Sequence, residues 1–329
     1  MGGVALAPAG FADPKPTIDQ VKTQVDDLYH QAEQASERYN AATDKLAEIQ
    51  RRIDRAQASV ATQEAKVAEV TASMAGFASA SYQVGGIDPT LQALLADDPS
   101  TFLAQASVLD AYADQQSDQL AAAAAERREL EQVKLLADEE LSRLQAVEAE
   151  LETEKTAVEQ LLADAQGILD GLEQDERDRL DQLERDREDN SNNPDRNDDD
   201  EDDNDEEPPD VPSSEKGRVA VDFAMEQVGE PYVWAAEGPG SWDCSGLTMM
   251  AWREAGVSIS RSSGSQINDG ARVSKSQLEP GDLVFYYSPI SHVGIYIGDG
   301  KIVHATHPGD VVSVDPVDMM PFSGASRPG

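Results

Sequence analysis

This chain is short of most of the side chains that chemistry relies on. It has one cysteine, four histidines and three tryptophans in 329 residues. A single cysteine excludes an intramolecular disulfide framework, which an exported protein can do without. The four histidines and the cysteine do not stand at the spacing of a metal cluster, so neither a metal nor another cofactor is expected. No run approaches the ~18 consecutive apolar residues of a membrane span, so none is expected. Basic residues are scarce as well: 26 Lys and Arg face 64 Asp and Glu, a net charge of −38. Without a basic surplus to neutralise phosphates, nucleic acid is not an expected partner.

What the chain does have is helical periodicity. From Val21 through Val25, Leu28, Ala32, Ala35, Tyr39, Ala42, Leu46, Ile49 and Ile53, apolar residues keep a 3–4 spacing that continues to Met74, and Gln63 is the only strongly polar member of the seam. The flanks are rich in charge, as in a coiled coil. Thr17 and Gln20 form a candidate capping box. The pattern breaks at Gly76 and again at Gly85-Gly86, and short tip helices are expected near 76–109. A second long helix then returns to about Leu183. Residues 17–186 thus predict an antiparallel coiled coil. Its tip carries Leu91, Leu94, Leu95, Phe102 and Leu103, more apolar surface than a two-helix turn needs, which suits a partner docking there. Residues 187–213 are almost purely acidic and polar and read as a disordered linker. They lack the glycine and the ligand spacing of an EF-hand loop. Residues 1–16 read as a signal-peptide remnant or a flexible terminus.

Residues 214–329 hold eight Lys or Arg and fourteen Asp or Glu, only −6 of the total charge. The cysteine lies here, in SWDCSG, ahead of GLTMMAWREAG. Leu247, Met250 and Ala251 fall at i, i+3 and i+4, which predicts a short helix stopping near Gly256. Cys244 then sits in the first turn, capped by Asp243 or Ser241, where free N–H groups and the helix dipole favour a thiolate. A base is offered by SHVGIYIGDGKIVHA, which reads as a hairpin turning at Gly298-Asp299-Gly300. With Ile297 opposite Lys301, His304 falls opposite Gly294 and diagonal to His292 on one face. His304 could then hold the His292 ring in one tautomer, as the orienting member of a cysteine triad does. Taken alone, a lone cysteine is more often a small buried hydrophobe, and a strand histidine is more often packing. Their joint occurrence points to catalysis. His307 follows the hairpin and reads as a groove-edge or solvent residue, and His30 lies in the coil. Strands are expected at 283–287, 292–297, 301–305 and 311–314, so the module reads as α+β.

PYVW, DCSG, GDLVFY, HVGIYIGDGKIVHA and GDVV together resemble the NlpC-type cell-wall cysteine endopeptidases, a papain-like fold. The resemblance covers 214–329. It implies Cys244 as nucleophile, His292 as general base and His304 as the orienting residue. It also implies Tyr232 at the oxyanion site, Asp243 and Ser245 gripping the peptide stem, and Arg261-Ser262 at the groove. The chain departs at Ala235-Ala236, where members often carry two glycines. Joined to a long antiparallel coil, the module is similar to the RipC-like hydrolases of mycobacteria and corynebacteria. That resemblance implies secretion, stem peptides of peptidoglycan as substrate and cleavage at the γ-D-glutamyl–meso-diaminopimelate bond. The architecture also resembles the PcsB and EnvC class of division hydrolases and activators, which implies control by the FtsEX complex, through the extracellular domain of FtsX at the coil tip. Two other readings stay open: an interaction protein whose peptidase domain only binds wall, and a papain-like amidase.

Overall fold

A computed structural model describes residues 17–83, 99–172, 177, 179 and 215–329. The expected terminus at 1–16 and the acidic linker lie outside the described residues. The chain divides into two compact units, residues 45–148 and residues 1–44 with 149–329. Both contain parts of two long helices, α1 (Ile18–Gln83) and α2 (Pro99–Asp170). None of the described helices is long and apolar enough to cross a membrane.

In the unit of residues 45–148 the two helices meet through side-chain contacts. Ile49, Ile53 and Val147 are buried, and Lys134 pairs with Glu64 at 2.7 Å. Gln63, the polar interruption of the seam, is buried because its amide donates to the Glu126 carbonyl at 3.2 Å and to the Glu126 carboxylate. α1 continues through Gly76, where the fading seam had suggested a break. One glycine costs a helix interior only about 1 kcal/mol, which its neighbours outweigh. α2 is one helix from Pro99, so the last part of the 76–109 stretch, expected to form short tip helices, is the beginning of the long one. Leu91, Leu94 and Leu95 lie outside the described residues, as do the side chains of Phe102 and Leu103.

In the other unit, α1 begins with the capping box: the Thr17 amide donates to Gln20 Oε1 at 2.9 Å, and the Gln20 amide to Thr17 Oγ1 at 3.3 Å. Val21 and Val25 bury against Ala165, Ile168 and Leu169 of α2, and Arg38 pairs with Glu154 at 2.9 Å. The module of residues 215–329 is α+β. Three helices, α3 (Glu215–Met225), α4 (Cys244–Glu254) and α5 (Ser263–Gln266), accompany a six-stranded antiparallel sheet. Its strands are β1 (Ala271–Val273), β2 (Leu283–Tyr286), β3 (His292–Gly298), β4 (Lys301–Ala305), β5 (Val312–Pro316) and β6 (Phe322–Arg327), in the order β1-β6-β2-β3-β4-β5. Leu247 and Trp252 of α4 bury against Leu283, Phe285, Ile295 and Val303 of the sheet, which fixes the helix start over β3. Strands β1 and β6 had no counterpart in the sequence reading. The β6 segment FSGASR has little apolar alternation, and its place is set by pairing with both β1 and β2.

Candidate active site

Cys244 is the first residue of α4. Asp243 caps the helix in an extended conformation, and its Oδ1 accepts from the Gly246 amide at 2.6 Å. Gly246 is required: a Cβ there would stand 2.2 Å from the carbonyl oxygen of Ala236. That carbonyl also accepts from the Asp243 amide at 3.1 Å, so the loop before the helix presses against its first turn. The loop achieves this with Ala235 at φ +57°, in the left-handed region. The Arg261 guanidinium ties the assembly together, donating to Asp243 Oδ1 at 3.0 Å, to Ser245 Oγ at 2.8 Å and to Glu237 at 2.8 Å.

The histidines come from the hairpin. Ile295 pairs with Val303 and Tyr296 with Ile302, while a bulge makes Gly298 rather than Ile297 the partner of Lys301. A Cβ on Gly294 would stand 3.2 Å from the Cβ of His304, so this glycine clears the face that carries the two rings. His292 Nε2 lies 2.7 Å from His304 Nδ1, and His304 Nε2 lies 3.0 Å from Asp315 Oδ2 on β5. Ser313 donates to the same Asp315 oxygen. Burial pulls His304 below its ordinary pKa, against the opposing pull of Asp315, and so keeps the ring neutral. One ligating atom from each of Cys244, His292 and Glu33 lies within 4.8 Å of the others, which puts sulfur and imidazole within reach of each other. Tyr232 is buried in the same cluster as Cys244. Burial, then the neighbouring negative groups, push its phenol well up, so it remains a donor.

A face of α1 lies on this groove. Glu33, Glu37, Asn40 and Asp44 follow one another at i, i+4, i+7 and i+11, and each bonds to the module. Glu33 Oε1 is hydrogen-bonded to His292 Nδ1. Glu37 accepts from Ser245 Oγ, the Ser263 amide and Ser263 Oγ, each at 2.6 Å, and lies 3.8 Å from Cys244 Sγ. The Asn40 amide reaches Asp243 at 3.2 Å and Ser245 at 3.3 Å. Asp44 accepts from the amides of Arg261 at 2.9 Å and Ser262 at 3.2 Å, and from Ser262 Oγ at 3.0 Å. Aromatic contacts flank the stripe: Tyr39 edge-on to Trp234 at 5.4 Å, His30 against Tyr287 at 4.3 Å and Tyr29 stacked on His307 at 5.3 Å.

The electrostatic consequence is that this arrangement disfavours a thiolate at Cys244. Cys244 is 1% exposed. Burial, then the charges of Glu37 and Glu33, push its thiol well above the ordinary range. Burial and Asp243 likewise raise Glu37. Burial would raise Glu33 too, but His292 outweighs it and the carboxyl ends below its ordinary value. An ionised Glu33 can only accept, so the proton of that bond sits on His292 Nδ1. The imidazole is thereby paired with a carboxylate of α1. Glu33, Cys244 and His292 have donors that suit Zn²⁺. Two ligands of one such ion would stand about 3.3 Å apart at ~2.0 Å from the metal, wider than the direct Glu33–His292 hydrogen bond.

Of the residues singled out from the sequence, Cys244, His292, His304, Tyr232, Asp243, Ser245, Arg261 and Ser262 are all buried in this one region. The five tip residues are not described there. Glu33, Glu37, Asn40, Asp44, Ser263 and Asp315 were not anticipated. A signal for the first four existed, a second stripe at helical period beside the apolar seam. For Asp315 it was the alternation of Val312 and Val314 with Ser313 and Asp315, which puts the polar pair on the face of His304, since His304 pairs with Ser313.

Comparison with known proteins follows the module. Residues 229–324 match the NlpC/P60 family. A probable endopeptidase of Corynebacterium glutamicum is 43% identical over 116 residues, 35% of this chain and 56% of the relative. One of Mycobacterium tuberculosis is 47% identical over 98 residues, 30% of this chain and 26% of the relative. The matches thus span about half or less of these relatives' own length. A crystal structure of the NlpC/p60 domain of the peptidoglycan hydrolase SagA is 35% identical, covering 33% of this chain and 97% of that one with a TM-score of 0.32. By the match over 229–324, the module that carries Cys244, His292 and His304 belongs to the NlpC/P60 family.

Proposed function

We propose that this chain is a cysteine endopeptidase of peptidoglycan stem peptides, held closed by its own first helix. The observation that carries the reading is the buried Cys244–His292–His304 set, brought together by the start of α4 and the β3–β4 hairpin, with α1 carboxylates on both the sulfur and the base. Once the helix withdraws, His292 takes the Cys244 proton and the thiolate attacks a peptide carbonyl. The carbonyl oxygen gains negative charge beside the backbone amides of the α4 start and the Tyr232 phenol, which stabilise it. His292 returns the proton to the leaving amine, and water hydrolyses the thioester to regenerate the thiol. The bond between γ-D-glutamate and meso-diaminopimelate is the one the family resemblance favours, with secretion to the wall as its setting. Release by a membrane division complex, through FtsX at the far end of the coil, rests on that resemblance alone. Binding of the full chain to an FtsX extracellular domain, lost on replacing Leu94 and Leu95, tests it.

The test of the enzyme is digestion of purified wall fragments by the full chain carrying Glu37→Ala, with and without Cys244→Ala. Loss of product in the double variant is expected, with fragment masses that identify the bond. Equal digestion by both would refute the assignment.

A further inference from the structure

His304 can orient His292 only if its own proton is on the correct nitrogen. A neutral imidazole donates from one nitrogen and accepts at the other. In the open enzyme, with Glu33 withdrawn, His292 must leave Nδ1 bare toward Cys244 in order to accept the thiol proton, so its remaining proton sits on Nε2. That N–H points at His304 Nδ1, 2.7 Å away, which must therefore be an acceptor. His304 Nδ1 is bare only when the His304 proton is on Nε2. Nε2 lies 3.0 Å from the Asp315 carboxylate, which accepts and cannot donate. Asp315 is 8% exposed, and Ser313 donates to the same oxygen, which holds the carboxylate in place.

We propose that Asp315 is a positioning residue for the catalytic base, which sets the tautomer of His304 and through it directs the His292 lone pair at Cys244. Nothing in the chain of bonds is optional. If Asp315 is replaced by a group that donates to His304 Nε2, the His304 proton moves to Nδ1. His304 then donates to His292 Nε2, the His292 proton moves to Nδ1, and the base presents an N–H to the sulfur. In serine-protease triads the same reversal, made by replacing the third carboxylate with its amide, costs about 10⁴ in kcat. The line of groups here is one residue longer, cysteine, histidine, histidine, aspartate, and it draws the carboxylate from β5 rather than from the hairpin. The sheet makes this possible because His304 pairs with Ser313, so Asp315 is its diagonal neighbour on the same face.

This inference rests on the endopeptidase reading, and its test keeps the two apart. The docked Glu33 carboxylate would mask the effect, because it holds a proton at His292 Nδ1 whatever Asp315 does. The full chain is therefore studied with Glu33→Ala, alone and together with Asp315→Asn or Asp315→Ala. With only four histidines, ¹⁵N-histidine labelling resolves each ring, and the His304 tautomer is read directly. The expected result is a fixed Nε2–H tautomer with Asp315 present. The Nδ1–H form or a mixture should replace it in the Asn and Ala variants, with kcat on wall fragments lower by about 10²- to 10⁴-fold and KM little changed. Asp315→Glu, which keeps an acceptor, should recover part of both. A purely structural Asp315 would lower the folded fraction without changing the His304 tautomer of the folded molecules. An unchanged tautomer with kcat within threefold in both the Asn and Ala variants would overturn the proposal. If Cys244→Ala remained active the endopeptidase reading would fall, while the tautomer measurement would still report on Asp315.

Discussion

Removing the carboxylate at Glu37 should uncover the nucleophile, and the size of the effect follows from its contacts. Glu37 accepts three hydrogen bonds of 2.6 Å, from Ser245 Oγ, the Ser263 amide and Ser263 Oγ. Truncating one partner of a buried, hydrogen-bonded charge costs about 2–5 kcal/mol. The low end applies here, because burial and the nearby Asp243 raise the Glu37 carboxyl above its ordinary value, so part of its attraction is already spent against repulsion. About 2 kcal/mol is a factor of roughly 30 in the ratio of docked to open molecules. Glu37→Arg should do more, since it would place a second guanidinium beside Arg261. Cys244 is the only cysteine, so alkylation by an uncharged thiol reagent, followed by intact mass, reports on this one sulfur. Where opening is fast relative to alkylation, the rate tracks the open population. We expect labelling about 30-fold faster in Glu37→Ala and faster still in Glu37→Arg, with helix content unchanged. Glu48→Ala, which removes an exposed carboxylate elsewhere on α1, should have no effect. Labelling within twofold of the parent in both Glu37 variants would show that the α1 stripe does not hold the groove shut.

Two further expectations concern the stability of the module, which tryptophan fluorescence isolates because Trp234, Trp242 and Trp252 all lie in it. Ala235 sits at φ +57°, a conformation that costs a residue with a Cβ about 1–2 kcal/mol, while glycine gives back about 0.5–1 kcal/mol in unfolded-chain entropy; Ala235→Gly should raise the urea midpoint, by roughly 0.5–1 kcal/mol in stability, and a lower midpoint would refute the strain argument. His304 is buried and held below its ordinary value, so the unfolded chain takes up that proton first. Stability is full above the unfolded pKa near 6.5 and falls as pH drops below it, by at most about 1.4 kcal/mol at pH 5.5. His30, raised chiefly by its bond to Glu33, works in the opposite direction. The check is therefore the difference between the parent and His304→Gln at pH 7.5 and 5.5, which should shrink on acidification.

The meeting of Cys244, His292 and His304 in one region was legible in the sequence because short-range backbone chemistry fixes their positions. Asp243 caps the helix it begins, Gly246 permits the close approach of the Ala236 carbonyl, and Gly298-Asp299-Gly300 turns a hairpin whose two-residue alternation puts His292 and His304 on one face. Each of these depends on neighbours within about ten positions. Asp315 needed the register of β4 against β5, and β6 needed two partners that FSGASR does not specify by itself.

The α1 stripe shows a different limit. Glu33, Glu37, Asn40 and Asp44 obey the same period as the apolar seam, and a polar face at that period is what a solvated helix also presents. Periodicity identifies a face without saying what it meets. The discriminating feature is composition: the stripe carries three acids, an amide and no Lys or Arg, whereas Arg38, Lys45 and Arg52 lie off it. A solvated coil flank mixes both signs so that i to i+4 pairs offset one another. Along residues 33 to 44 the stripe carries no Lys or Arg, and on α1 itself its carboxylates meet His30, 3.6 Å from Glu33, and the Asn40 amide, 3.1 Å from Glu37. Most of their partners stand on the module, as His292, the backbone amides of Arg261 to Ser263 and the hydroxyls of Ser245 and Ser263. A run of same-sign residues at helical period beside an apolar seam is thus evidence for a second interface, and a groove rich in N–H and O–H donors is the kind of surface that completes it.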